Sequence, residues 1–261
     1  MIDLHIHTSR SDGGKSLDEI LKLVNKDDII SITDHNITGN YKNILKGIEI
    51  ETKYKNKRYH FILLNFDEKK LKKYEKIVRS HDIQKFYKQI KKLNINLDKI
   101  KVKKFIKNNE YFDRVRLNNL LVELNLTTTP RESYYKYTQN IKEGKRKIIS
   151  LKDLFYLEKI SGGILVLAHP TKYFYNLENT KKFILYLKNK YNLKAVEVYN
   201  NHSTIENIQE LEKFCVKHNL LISGGSDYHA KYGEVENKKI GFVHGIELKN
   251  EKINILKYLG R

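Results

Sequence analysis

The chain has 261 residues, with 50 Lys and Arg against 31 Asp and Glu and a formal net charge of +19, and this length can bury the core of one large α/β domain carrying an insertion. Charges interrupt every stretch of about 18 residues, which excludes a membrane-spanning helix, and the N-terminus has no basic segment leading into an apolar one as a signal peptide requires. Cys215 is the single cysteine and cannot pair within the chain, so a cytoplasmic location with no membrane or obligate protein partner is the default expectation.

Short apolar runs alternate with helical periods over the first 70 residues. Residues 2–7 are predicted as a strand, 17–25 as a helix, and 29–33 and 59–65 as strands, by run length and period. The rhythm returns late, with strands at 164–168, 195–199 and 220–223 and helices at 183–190 and 205–218. Between them the chain is Lys-rich and helical in period, clearest at 86–93 and 117–124, with a break at Pro130. The predicted organisation is an α/β domain with a parallel sheet or barrel, built from residues 1–70 and 150–261 and holding a helical insertion at 71–149. No internal repeat is visible, and the lysine clusters read as solvated helix faces. The basic charge fits an anionic ligand. Lysine here travels with Asn, Ile and Tyr and with only 2 prolines, a bias that base composition of the gene would also produce, so charge alone does not establish that ligand.

Histidines and carboxylates recur where the strands should stop. They stand in Asp3-Leu4-His5-Ile6-His7, in Ser11-Asp12-Gly13-Gly14, in Thr33-Asp34-His35 and in Gly47-Ile48-Glu49. Tyr59-His60-Phe61, Leu167-Ala168-His169-Pro170 and Gly225-Ser226-Asp227-Tyr228-His229 complete the series. His5 and His7 are two apart on a strand and so share a face; near the C-terminal end of a barrel strand both would meet an active-site mouth. His60 is the exception, lying near the beginning of its strand. A lone strand-end histidine is more often a structural hydrogen-bonding group, but their joint occurrence is what a multi-metal hydrolytic site requires.

In these motifs, together with Thr33-Asp34-His35-Asn36, Ser161-to-Pro170 and the insertion's Arg114-Val115-Arg116-Leu117, the chain resembles the PHP (polymerase and histidinol phosphatase) superfamily, and within it the TrpH/YciV-like phosphoesterases. The resemblance covers nearly the whole chain. It implies a distorted (β/α)7 barrel with two to three divalent metal ions at the C-terminal side of the strands. His5, His7, Glu49 and Asp227 would hold the first, Asp12, His35 and His229 the second, and Glu49, His60 and His169 the third. Imidazole and carboxylate ligands without thiolate suit manganese, iron or zinc. Such ions activate a water for attack on phosphorus and neutralise the phosphoryl oxygens.

The resemblance also implies the substrate class: 3′,5′-nucleoside bisphosphates, or short RNA or DNA degraded from the 5′ end, with the insertion capping the barrel mouth. Guanidinium forks suit a second phosphate, and arginine is scarce here, so Arg114 leads the candidates, followed by Arg116, Lys172, Lys145 and Arg10. Asp34 reads either as a carboxylate orienting an imidazole or as a helix N-cap before Asn36. His202 follows a strand end and is a candidate proton donor or substrate contact; His81, His218 and His244 read as surface or capping groups. Two alternatives stay open. One is a histidinol-phosphate or other small-molecule phosphatase, against which the insertion argues but for which the segment after Gly144-Lys145 leaves room, reading Arg146-Lys147-Ile148 where the branch usually carries Tyr-Val-Pro. The other is a non-catalytic nucleic-acid-binding module.

Overall fold

The computed structural model describes residues 1–141, 148–230 and 239–260; Lys145 lies outside the described residues. The apolar runs become β1 (Ile2–Ile6), β2 (Ile29–Ile32), β3 (Leu45–Tyr54), β4 (Lys57–Leu64), β5 (Ile149–Ser150), β6 (Ile164–Leu167), β7 (Ala195–Tyr199) and β8 (Leu221–Gly224). Among the described residues these form one sheet in the order β1-β2-β3-β4-β6-β7-β8, with β5 added beside β3. A parallel bridge from Ile6 to Tyr228, just beyond β8, nearly closes the sheet into a barrel.

The fold is the expected α/β barrel with one departure from a simple (β/α)7 repeat. Strand β4 runs antiparallel to both β3 and β6, whereas β1/β2, β2/β3, β6/β7 and β7/β8 are parallel. The cause is local. Lys55 and Asn56 take φ of 44° and 64°, the left-handed pair that a tight two-residue hairpin demands, and Tyr54 pairs directly with Lys57. Reversal brings the beginning of β4 to the end of the barrel where the parallel strands finish, which explains the odd position of His60.

Alternation puts Leu4, Ile48, Ile50, Phe61, Leu63, Val166, Val196 and Val198, each fully buried, on the strand faces opposite His5, Glu49, His60 and Glu197, where they pack in one core with α6 (Leu151–Ser161), α7 (Leu177–Tyr191) and α8 (Ile205–Lys217). Gly162 follows α6 at φ 69° as its left-handed cap. Cys215 is buried in α8, as a small apolar group.

The middle of the chain is helical: α2 (Glu68–Lys92), α3 (Lys99–Asn108), α4 (Arg114–Glu123) and α5 (Pro130–Ser133), followed by a π turn at Tyr134–Thr138. Asp67, Asp98, Asp113 and Thr129 each cap one of these helices with a side-chain oxygen. Phe86, Phe105, Phe112, Leu117, Leu120 and Leu121 form a core of their own, each such side chain contributing roughly 1.5–3 kcal/mol by burial. Helix α2 is shared: Leu71 packs in the barrel core and Phe86 in the helical one. No helix among the described residues is long and apolar enough to cross a membrane.

Candidate metal centre

Nine of the residues singled out in the sequence converge at one end of the barrel, and Glu49 stands at the middle of them. It is 1 % exposed. Its Oε1 lies 2.8 Å from His60 Nδ1, 3.2 Å from His169 Nε2 and 3.5 Å from His5 Nε2. Its Oε2 lies 3.0 Å from His35 Nδ1 and 3.2 Å from His7 Nε2. Asp227, at a left-handed φ of 52°, is the second focus. Its Oδ1 is 3.3 Å from His5 Nε2 and 3.4 Å from His7 Nε2. Asp12 Oδ1 is 3.2 Å from His229 Nε2 and 3.4 Å from His7 Nδ1.

Each position follows from local structure. His5 and His7 lie on the same face of β1 and its extension, with their Nε2 atoms 3.1 Å apart. Beyond His7 the chain doubles back so tightly that a Cβ on Gly13 would come within 2.6 Å of the His7 carbonyl oxygen, and this delivers Asp12. His169 sits directly after β6 at φ 29°, a conformation that costs about 1–3 kcal/mol in a non-glycine residue.

The electrostatics favour positive charge here. Burial opposes ionisation of Glu49, but His35, His60 and His5 hold its carboxyl well below the usual range. Asp227 is likewise held low, against burial, by His5, His202 and His7. Burial also opposes protonation of His7, yet hydrogen bonds to Asp227 and Glu49 raise it to about 10. On His35 burial prevails and pushes the imidazole down to about 3. Ionised carboxylates facing several imidazole nitrogens at 2.8–3.5 Å form the donor set of a cation site. The groups fall into sets whose donor atoms lie within 4.8 Å of one another: His7, Asp12, His35 and His229; His5, His7 and Asp227; His5, Glu49 and His169; His35, Glu49 and His60. These residues fit divalent ions of the manganese, iron or zinc type. The sets overlap more than the sequence motifs imply, since His7 also belongs with Asp12 and His35 also with His60.

The other candidates divide. His202 reaches the centre, with Nε2 3.2 Å from Asp227 Oδ2 and its ring edge-on to His169. Asp34 takes neither expected role. No helix follows it, and its carboxylate accepts from Thr8 N at 2.8 Å, from Thr8 Oγ1 at 2.6 Å and from Ser11 Oγ. It therefore fixes the loop carrying Asp12. Arg114, the leading phosphate candidate, donates from Nη2 to the Ile141 carbonyl at 3.0 Å and lies with its guanidinium over Tyr134, both within the helical segment. Arg116 is the one that reaches the rim, donating to the carbonyls of Ser9 and Ser11. Arg10 holds Glu110 through Nε at 2.7 Å and Nη2 at 3.0 Å. Lys172 is exposed in the short turn after His169.

Three groups at the site carried no expectation. Tyr111 stacks on His35 with ring centroids 6.0 Å apart. It lines a cleft of about 330 Å³ between barrel and helices, with Arg10, Thr38, Glu75 and Arg79 among the other walls. Tyr173 Oη is 3.0 Å from His169 Nδ1 and accepts from His60 N at 2.7 Å. Glu197, fully buried in β7, contacts His5 and His169. A Glu within the apolar run Ala195-Val196-Glu197-Val198 was the available signal, because charged residues are rarely buried unless paired.

No family model matches the chain. Its curated relatives are exoribonucleases. It is 24 % identical over 268 residues to a 5′-3′ exoribonuclease of Haemophilus influenzae, covering 94 % of this chain and 96 % of that protein. To the 5′-3′ exoribonuclease Rnm of Escherichia coli it is 23 % identical, covering 94 % and 91 %. Among solved structures it is similar to a protein from Bifidobacterium adolescentis assigned as a metal-dependent phosphoesterase, with a TM-score of 0.67, 18 % identity and 92 % of each chain covered. It is also similar to an amidohydrolase from Chromobacterium violaceum, solved with bound sulfate and no metal, with a TM-score of 0.71, 21 % identity and 99 % and 95 % covered. The distorted barrel is common to all three structures.

Proposed function

We propose that this chain is a metal-dependent phosphoesterase of the PHP superfamily acting on nucleotides. It removes nucleotides from the 5′ end of short RNA or DNA and dephosphorylates 3′,5′-nucleoside bisphosphates. The observation that carries this reading is the convergence of nine imidazoles and carboxylates around Glu49 and Asp227. Relatives named 5′-3′ exoribonuclease, matched over nearly the full length, support it.

His5, His7, Glu49 and Asp227 would hold one ion, Asp12, His35 and His229 a second, and Glu49, His60 and His169 a third. When bound, such ions make water acidic enough to attack phosphorus near neutral pH and offset charge on the phosphoryl oxygens. The chain's own groups do the rest. Asp34, through Thr8 and Ser11, and Arg116, through the Ser9 and Ser11 carbonyls, both hold this loop and with it Asp12. His202, hydrogen-bonded to Asp227 and partly exposed, hands a proton to the departing oxygen. Tyr111 offers an aromatic face for the terminal base in the cleft beside His35, and Lys172 offers an exposed cation at the rim.

The test is turnover with manganese of a 5′-phosphorylated RNA trinucleotide, adenosine 3′,5′-bisphosphate and histidinol phosphate. Mononucleotides from the first and phosphate from the second are expected, both abolished in His7→Ala. A preference for histidinol phosphate would replace the substrate, and turnover of none would remove the enzyme reading.

A further inference from the structure

We infer that Glu197 is a positioning residue of the metal centre: its carboxylate fixes which nitrogen of His5 faces the centre, and at the same time anchors the backbone of His169. The inference rests on the reading of this cluster as a metal site.

Strand β7 contributes no candidate ligand of its own, yet it carries a fully buried carboxylate at its middle. Such a group is retained only with partners for both oxygens. Glu197 Oε1 lies 2.8 Å from His5 Nδ1, and Oε2 accepts from the His169 backbone N at 2.6 Å. With both Glu197 oxygens as acceptors, His5 Nδ1 carries the proton. The lone pair is then on Nε2, the atom that faces Asp227 Oδ1, Glu49 Oε1 and His7 Nε2. The opposite tautomer would aim an N–H at the ion and a lone pair at the carboxylate.

His5 belongs to two of the four donor sets, one with His7 and Asp227 and one with Glu49 and His169. A group that sets its orientation therefore acts on both. The second oxygen of Glu197 reaches the residue that completes one of those sets. His169 has a left-handed backbone, at φ 29° and ψ 60°, and the 2.6 Å hydrogen bond from its N–H helps hold that conformation. The register of β7 against β8 shifts between Glu197 and Tyr199, and such irregularities beside sites commonly re-aim a side chain. Tyr173 backs up the His169 ring through Nδ1 and accepts from His60 N, so His169 is held from both its ring and its backbone.

The decisive experiment is calorimetric titration of the metal-free chain with manganese alone, comparing wild type, Glu197→Ala and Glu197→Gln. Thermal unfolding without metal verifies that each variant is folded. Loss of the carboxylate is expected to weaken manganese binding by about 10–100-fold. Glu197→Gln, which keeps one acceptor oxygen but cannot accept from both donors, should fall between. In the zinc-loaded chain, long-range proton–nitrogen spectra should show His5 protonated at Nδ1 in wild type and not uniformly so in Glu197→Ala. If Glu197→Ala does not fold, Glu197→Gln decides. A folded variant that binds manganese like wild type, with the His5 tautomer unchanged, overturns the positioning role and leaves the metal site standing. A wild-type chain that binds no manganese or zinc overturns the metal reading, and the positioning role with it.

Discussion

Arg114 and Arg116 are two positions apart on α4, so about 200° of helix rotation separates them and they cannot serve the same surface. Arg114 braces the helical segment through the Ile141 carbonyl, while Arg116 grips the carbonyls of Ser9 and Ser11 beside the centre. Arg116→Ala should therefore raise KM for a 5′-phosphorylated trinucleotide several-fold, with little change in stability. Arg114→Ala should cost about 1 kcal/mol of stability and leave KM near wild type. Steady-state kinetics beside urea unfolding separates the two, and the reverse pattern would contradict the placement. Cys215 permits a cleaner chemical prediction. Burial pushes its thiol from the usual range up to about 12, leaving on the order of a thousandfold less thiolate at pH 8 than an ordinary cysteine has. Alkylation should be slow in the native chain, rise with pH, and become fast only on unfolding. Rapid labelling of folded protein at pH 8 would refute it.

At the scale of elements, polar contacts tie the helical segment to the barrel loops, Glu75 of α2 accepting from Thr38 N at 2.6 Å and Tyr74 donating to Asn36. Arg10 of the loop after β1 holds Glu110 of the segment between α3 and α4, and Arg116 of α4 holds the same loop. Both side chains of the Arg10–Glu110 pair are partly exposed, 31 % and 46 %, so solvent screens the pair and it contributes no more than about 1 kcal/mol. Glu110→Lys should accordingly leave global stability almost unchanged. Its effect should appear as faster hydrogen exchange at residues 109–113 and in the loop after β1, with a higher KM for nucleotide substrates. Exchange rates equal to wild type would mean that this contact does not hold the segment in place. The hairpin of β3 and β4 teaches a related point. Alternation of apolar residues marks both strands, but their antiparallel pairing is decided by the left-handed conformations of Lys55 and Asn56. Period reports that a strand exists; only the turn reports its direction.

Closure of the whole barrel depends on the meeting of β1 with the segment after β8. Asp3, fully buried, accepts hydrogen bonds from Ser226 N at 3.0 Å, Ser226 Oγ at 2.6 Å, Gly241 N at 2.7 Å and His5 N at 3.1 Å. Gly225 is the point of closest approach, where a Cβ would come within 2.4 Å of the His5 Cβ and 2.7 Å of its N. Gly225→Ala must push the two edges apart, and Asp3→Ala leaves several donors buried without an acceptor. Each should cost about 3 kcal/mol or more, read as a lowered unfolding midpoint, and each should weaken manganese binding because His5 lies at the seam. Midpoints within about 0.5 kcal/mol of wild type would show that closure does not depend on these contacts.

What the sequence determined by itself is the alternation of strands and helices, the helical middle, and the chemistry of the residues at the strand ends. Those are local properties, carried by hydrophobic period and residue type, and they single out His5, His7 and Asp227 as candidates; the grouping into ion sites came from the family resemblance, and Glu49 lies inside β3 rather than at its end. Only the tertiary structure decided which groups meet. His5 and Glu197 are 192 positions apart, and Arg116 and Ser11 105 apart. No local pattern encodes such pairs, because they exist only once the barrel has closed and the reversed β4 has brought His60 to the same mouth as the rest.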